Sequence, residues 1–183
     1  MSADGGPAVP LVAETEAQEA ATWTPDGRAV IYGRDVHSDP SRLTLMRYDL
    51  ARHLPEPLPG TAGLFAPVLS PDGALVAAQA AGDRAIVLVD LRTLSRRVLI
   101  PHDADDPAWS GDGRDLYFNP LEGTDHALWR VRVADGREER VAVVPFPTRG
   151  VFDSWTGLAP DGSVLLLADR SRSDVYVLSL ADR

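Results

Sequence analysis

One short pattern recurs four times: Trp23-Thr24-Pro25-Asp26-Gly27, Leu69-Ser70-Pro71-Asp72-Gly73, Trp109-Ser110-Gly111-Asp112-Gly113 and Leu158-Ala159-Pro160-Asp161-Gly162. The four Asp positions are 46, 40 and 49 residues apart. Proline presets φ at the first turn position, Asp bonds its own backbone and Gly accepts positive φ, so each pattern reads as a tight hairpin turn. A repeat of about 40–50 residues with one such turn per unit suits four-stranded propeller blades, in which each unit buries its faces only against its neighbours.

Apolar and β-branched runs flank each turn at strand length. The second unit is the clearest: Pro67-Val68-Leu69, Leu75-Val76-Ala77-Ala78, Ala85-Ile86-Val87-Leu88-Val89 and Arg97-Val98-Leu99-Ile100. Near-continuous hydrophobicity of this kind fits strands buried on both faces. No stretch keeps a helical period over three turns; Glu14 to Ala21 is helix-like in composition but too short to stand alone. Leu54-Pro55-Glu56-Pro57-Leu58 fits only an outer edge strand, because proline cannot donate to a ladder.

The expected fold is therefore all-β: a propeller of four blades, each of four antiparallel strands. The blades fall at about 18–59, 64–101, 105–145 and 152–183, the last completed by residues 8–13. After Val175-Tyr176-Val177-Leu178 no outer strand follows, and Ala8-Val9-Pro10-Leu11-Val12 is placed to supply it, which would remove an open edge. The alternatives are pairing of two chains into a larger ring, or a part of a longer parent. Trp23 and Trp109 are expected in the core between blades.

These turns, each followed by an apolar strand, resemble the TolB-like repeat, a bacterial relative of the WD-repeat propellers. The resemblance covers residues 8–183. Leu69 and Leu158 stand where the aromatic is usual, and Gly111 stands where proline is usual. Residues 169–176 are similar to the closing blade of larger bacterial regulators that carry a DNA-binding or kinase module ahead of a sensory propeller; no such module is read in these residues. The resemblance implies a propeller fold. The family supports protein binding, ligand sensing and peptidase gating, so fold alone does not choose among them.

Composition narrows the choice. The net charge is −9 and the pI about 4.8, which argues against a nucleic-acid groove. With no cysteine there are no disulfides, thiolate metal sites or cysteine nucleophiles. No apolar run is long enough to span a membrane, and the first residues lack a secretory pattern. The expected location is the cytoplasm if the chain is complete, or the periplasm if an export segment has been removed. No nucleophile elbow, zinc helix, phosphate loop or dinucleotide fingerprint is present.

Candidate binding residues gather in the loops of one face. His102, Asp103 and Asp105 belong to an acidic link between the second and third blades. They suit calcium or a basic partner, but the link lacks the regular glycine-bearing spacing of a calcium loop and is read as a solvated connection. Arg34, Asp35 and His37, then Asp125 and His126, lie in long loops of the first and third blades. Arg149, Asp153, Asp169 and Arg170 complete a mixed-charge rim, with Trp155 as its aromatic. The leading expectation is a non-enzymatic module that binds a protein or peptide through this face, as monomer or homodimer, with no cofactor. The alternatives are a ligand-sensing portion of a larger bacterial regulator, or a hydrolase or lyase with its site at the central channel.

Overall fold

Residues 5–34, 39–120, 127–143, 156–159 and 161–166 of the computed structural model are described. They form four antiparallel sheets, each read off in chain order. The first holds β1 (Gln18–Trp23), β2 (Ala29–Arg34), β3 (Thr44–Asp49) and β4 (Leu54–Pro57). The second holds β5 (Leu64–Leu69), β6 (Leu75–Ala80), β7 (Ile86–Asp90) and β8 (Arg96–Ile100). The third holds β9 (Ala104–Trp109), β10 (Asp115–Pro120), β11 (Ala127–Arg132) and β12 (Glu138–Val143). Of the fourth, β13 (Thr156–Leu158) and β14 (Val164–Leu166) are described. The proline-bearing β4 is an outer edge strand, as its missing donors require.

The repeated turn folds as its residues dictate. Gly27, Gly73, Gly113 and Gly162 take φ of 65°, 74°, 69° and 82°, a region that disfavours side chains. Their N–H groups donate to the carbonyls of Thr24, Ser70, Ser110 and Ala159 at 2.8–2.9 Å. The hydroxyls of Thr24, Ser70 and Ser110 donate to Asp26, Asp72 and Asp112 at 2.6, 2.6 and 2.7 Å. The same hydroxyls accept the N–H of Ala29, Leu75 and Asp115 at 2.9–3.0 Å. Each Asp also accepts a backbone N–H two residues on, at 2.9–3.1 Å across the four turns. In the fourth turn Ala159 has no hydroxyl, and Ser163, on the far side of the Asp, bonds Asp161 instead.

Neighbouring sheets share cores. Ile31 and Leu45 pack with Leu64, Val76, Val87 and Val89 between the first and second sheets. Ile86, Leu88 and Ile100 pack with Leu116, Phe118 and Val131 between the second and third. At the turns, Pro25 leans on Gly73 and Pro71 on Gly113: a Cβ at those glycines would meet the proline rings at 3.1 and 3.6 Å. Gly111 replaces the next proline, and nothing lies within 4 Å of a Cβ at Gly162. A cleft of about 280 Å³ opens there between Trp109, Tyr117, Leu158 and the two turns.

Two expectations require correction. Residues 8–13 form no strand. Pro7 and Pro10 remove two backbone donors, and Val12 packs onto Tyr32, Met46 and Tyr48 of the first sheet. Glu14 then fastens the segment, accepting the Tyr32 hydroxyl at 2.9 Å. Burial and that carboxylate push the Tyr32 phenol well above its ordinary pKa. The strand at 175–178 that residues 8–13 were expected to join lies outside the described residues, and closure of the ring is not seen. Trp109 does pack between sheets, donating its indole N–H to the Val68 carbonyl at 3.1 Å, but Trp23 is 59% exposed. No helix among the described residues is long and apolar enough to cross a membrane.

Seven turn carboxyls, those of Asp26, Asp49, Asp72, Asp90, Asp112, Asp135 and Asp161, are held below the usual Asp pKa by hydroxyl and backbone N–H donors. Their folded pKa lies below the unfolded one, so their stabilisation is complete above pH ~4 and is lost as pH falls through the folded values. Thermal scans should show a midpoint that drops on acidification below pH ~4; a midpoint that rises there refutes the clamp. Gly111 does not use positive φ. Gly111→Pro should therefore restore the missing contact and add about 0.5–1 kcal/mol by constraining the unfolded chain, raising the midpoint by roughly 2–4 °C.

Candidate functional site

The first strands of the four sheets, β1, β5, β9 and β13, line one cavity of about 830 Å³. Three of these strands share a kink. The third residue of β1, β5 and β9 sits at positive φ: Ala20 at 43°, Ala66 at 48° and Asp106 at 50°. The register with the neighbouring strand slips at each of these places. Such a bulge bends the strand and re-aims the side chains around it. Pro67 and Pro107 follow two of the kinks, where no ladder donor is needed.

The residues before the kinks, Glu19, Phe65 and Asp105, line the cavity with Gln79 and Arg84. Gln79 ends the apolar run of β6 and is 2% exposed. Its amide donates to the Ala104 carbonyl at 2.7 Å and to Asp105 Oδ1 at 3.0 Å, tying the second sheet to the third. Arg84, in the β6–β7 turn, meets Asp105 Oδ2 at 2.9 Å and Asp103 Oδ1 at 3.5 Å. The Asp106 N–H donates to Asp105 Oδ1 at 3.0 Å, and Asn119 donates to Asp106 Oδ2 at 3.3 Å. A buried amide and a guanidinium thus fix Asp105 in one orientation. Glu19, Asp105 and Asp106 outnumber Arg84 among the charged lining residues, and Arg84 is already shared between two carboxylates. The arrangement favours a cationic group.

Of the expected rim residues, Asp103 and Asp105 come together on Arg84. Asp105 lies inside strand β9 rather than in a solvated link, because the bulge extends the strand back to Ala104. Arg34 is occupied elsewhere, 3.6 Å from Glu14 on the first sheet. His102 turns to the third sheet, with Nε2 3.0 Å from Glu138 and its ring against Phe118. Asp35, His37, Asp125, His126, Arg149, Asp153, Trp155, Asp169 and Arg170 lie outside the described residues. Among the described residues no three His, Asp or Glu side chains gather to hold a metal ion.

Gln79 and Arg84 were not anticipated, although the repeat contains the signal. Counting seven residues on from the turn Asp reaches Gly33, Gln79 and Asn119, and seven back reaches Glu19, Phe65 and Asp105. Amides at the first position and carboxylates at the second mark one end of the blades.

No protein-family model and no curated protein sequence matches the chain. Solved structures do resemble it. TolB from Acinetobacter baumannii is 23% identical, with a TM-score of 0.69 over 90% of this chain and 41% of that one. The protein described as a TolB from Agrobacterium tumefaciens is also 23% identical, with a TM-score of 0.64 over 83% of this chain and 53% of that one. An oligogalacturonate lyase in complex with manganese is 19% identical, with a TM-score of 0.51 over 68% and 39%. The chain has the fold of TolB-like propeller blades and spans about half the length, or less, of the proteins it resembles.

Gln79→Ala should lower the urea midpoint by the equivalent of about 1–3 kcal/mol, since the Ala104 carbonyl and Asp105 lose a buried donor. An unchanged midpoint would show that the amide does not join the two sheets.

Proposed function

We propose that the chain is a non-enzymatic binding module that takes a basic segment of a protein or peptide at the Glu19–Asp105 end of the cavity. The observation that carries this reading is the carboxylate-rich mouth over a space of about 830 Å³ shared by four sheets. Asp105 needs no reorganisation to receive a cation, because Gln79 and Arg84 already orient it. The overall charge of −9 adds long-range attraction for the same kind of partner. Phe65 offers an apolar surface beside the carboxylates for the stem of an arginine or lysine.

A small-ligand reading has one observation in its favour: the cavity volume falls within the range of about 300–1,000 Å³ typical of ligand pockets. The two separate by experiment. Peptides rich in arginine, and the same peptides with glutamate substituted, are titrated against the chain at low and high salt. Binding of the basic series alone is expected, weakening with salt. Glu19→Lys should weaken it about three- to tenfold, mostly through the association rate. Equal binding of both series, or binding indifferent to salt and to Glu19→Lys, would overturn the proposal.

A further inference from the structure

The contact between neighbouring turns is made twice and missing once. The turn glycine of the later sheet receives the turn proline of the earlier one. A Cβ at Gly73 would meet the Pro25 ring at 3.1 Å, and a Cβ at Gly113 would meet the Pro71 ring at 3.6 Å. The third turn has Gly111 at the proline position, and nothing lies within 4 Å of a Cβ at Gly162. The cleft of about 280 Å³ between Trp109, Tyr117, Leu158 and these two glycines stands where a proline ring sits at the two earlier steps.

The polar groups of its wall restrict what can enter. The Trp109 indole N–H is engaged by the Val68 carbonyl at 3.1 Å. The Ser110 hydroxyl donates to Asp112 at 2.7 Å and accepts the Asp115 N–H at 3.0 Å. The Tyr117 hydroxyl bonds the Arg130 guanidinium, and the Gly162 N–H donates to the Ala159 carbonyl at 2.9 Å. Among the described residues that line the cleft, no polar side chain is left without a partner. A charged or strongly polar occupant would lose its hydration and gain no bond from these side chains, so the cleft suits a compact apolar group.

We propose that the cleft beside Gly111 docks a prolyl residue from an extended segment of a partner protein. A prolyl ring has no N–H to satisfy and loses almost no side-chain freedom on burial. It is also the group that the same glycine position takes in both filled copies. The aromatic residues Trp109 and Tyr117 beside it match the way proline-bearing extended chains dock in aromatic-lined grooves. The partner's ring thus completes a contact that the chain makes with its own prolines at the other two turns. The slot uses none of Glu19, Gln79, Arg84 and Asp105, so it is independent of the basic-segment reading above.

A polyproline hexapeptide, titrated to millimolar concentration against the isotopically labelled chain, tests it by amide NMR. Saturable shifts of the Gly111, Gly113 and Gly162 amides are expected. The same peptide with its central prolines changed to alanine, or to valine, should bind about tenfold more weakly or worse. Gly111→Pro and Gly111→Val each fill the slot from within, at a position where a Cβ meets nothing within 4 Å. Each should weaken the proline peptide by about tenfold or more, the effect of overfilling a packed space. The absence of a saturable shift in the wild-type chain would overturn the proposal. So would a response that survives both substitutions, or one that the valine peptide matches.

Discussion

The bond between a turn hydroxyl and the Asp two residues on holds the rest in place. Thr24, Ser70 and Ser110 each donate to that Asp and accept a backbone N–H from the first residue of the next strand. One oxygen thereby joins the end of the inner strand, the turn and the start of the second strand. With Gly at positive φ the chain reverses in a fixed geometry, and strand register follows from it. Register decides which residues reach the shared cores between sheets, so the sheet-to-sheet step is set by a few polar contacts at the surface. In the fourth turn, where Ala159 has no hydroxyl, Asp161 still accepts the Ser163 N–H at 2.9 Å and Gly162 still takes positive φ.

The second constraint lies at the opposite end of the inner strands. Ala20, Ala66 and Asp106 sit in a backbone region unfavourable to side chains, at the same place in three sheets. A strained conformation kept in register through a repeat is a feature of the architecture rather than an accident of one loop. The inner strands of the four sheets line one cavity, and three of them carry the kink.

How much of this was legible in the sequence follows from the range of the forces involved. The turns, the strands and the edge position of Leu54–Pro57 are local matters of φ, missing donors and alternating burial, and each lay within a few residues of its signal. The destination of residues 8–13 was not local. Their apolar residues suit an outer strand, but Val12 packs on Tyr32, Met46 and Tyr48 while Val9 and Leu11 stay exposed. Asp103 and Asp105 were recognisable as candidates because acidic links stand out in composition. Their partner Arg84 lies about twenty residues earlier and was hidden in a turn. Gln79 was the more readable omission, being a lone amide at the end of an apolar strand that a fold of this kind buries. His102 and Arg34 were read as rim residues from their places in a link and a long loop, whereas Glu138 draws His102 to the third sheet and Arg34, the last residue of β2, pairs with Glu14.

Repetition and function therefore occupy different residues. The positions that recur without change, the turn Asp and Gly, serve the turn and the register, and Gly73 and Gly113 also receive the prolines of the preceding turns. The positions that break the repeat, Glu19 against Phe65 and Asp105, or Gly33 against Gln79 and Asn119, gather at one end of the cavity. A scaffold whose geometry is secured by the recurring set leaves the variable set free to change chemistry without loss of fold. Part of the carboxylate at that end serves the fold as well, since Asp105 ties the second sheet to the third through Gln79 and Arg84 and Asp106 accepts Asn119 at a kink, whereas Glu19 lies on the exposed side of β1.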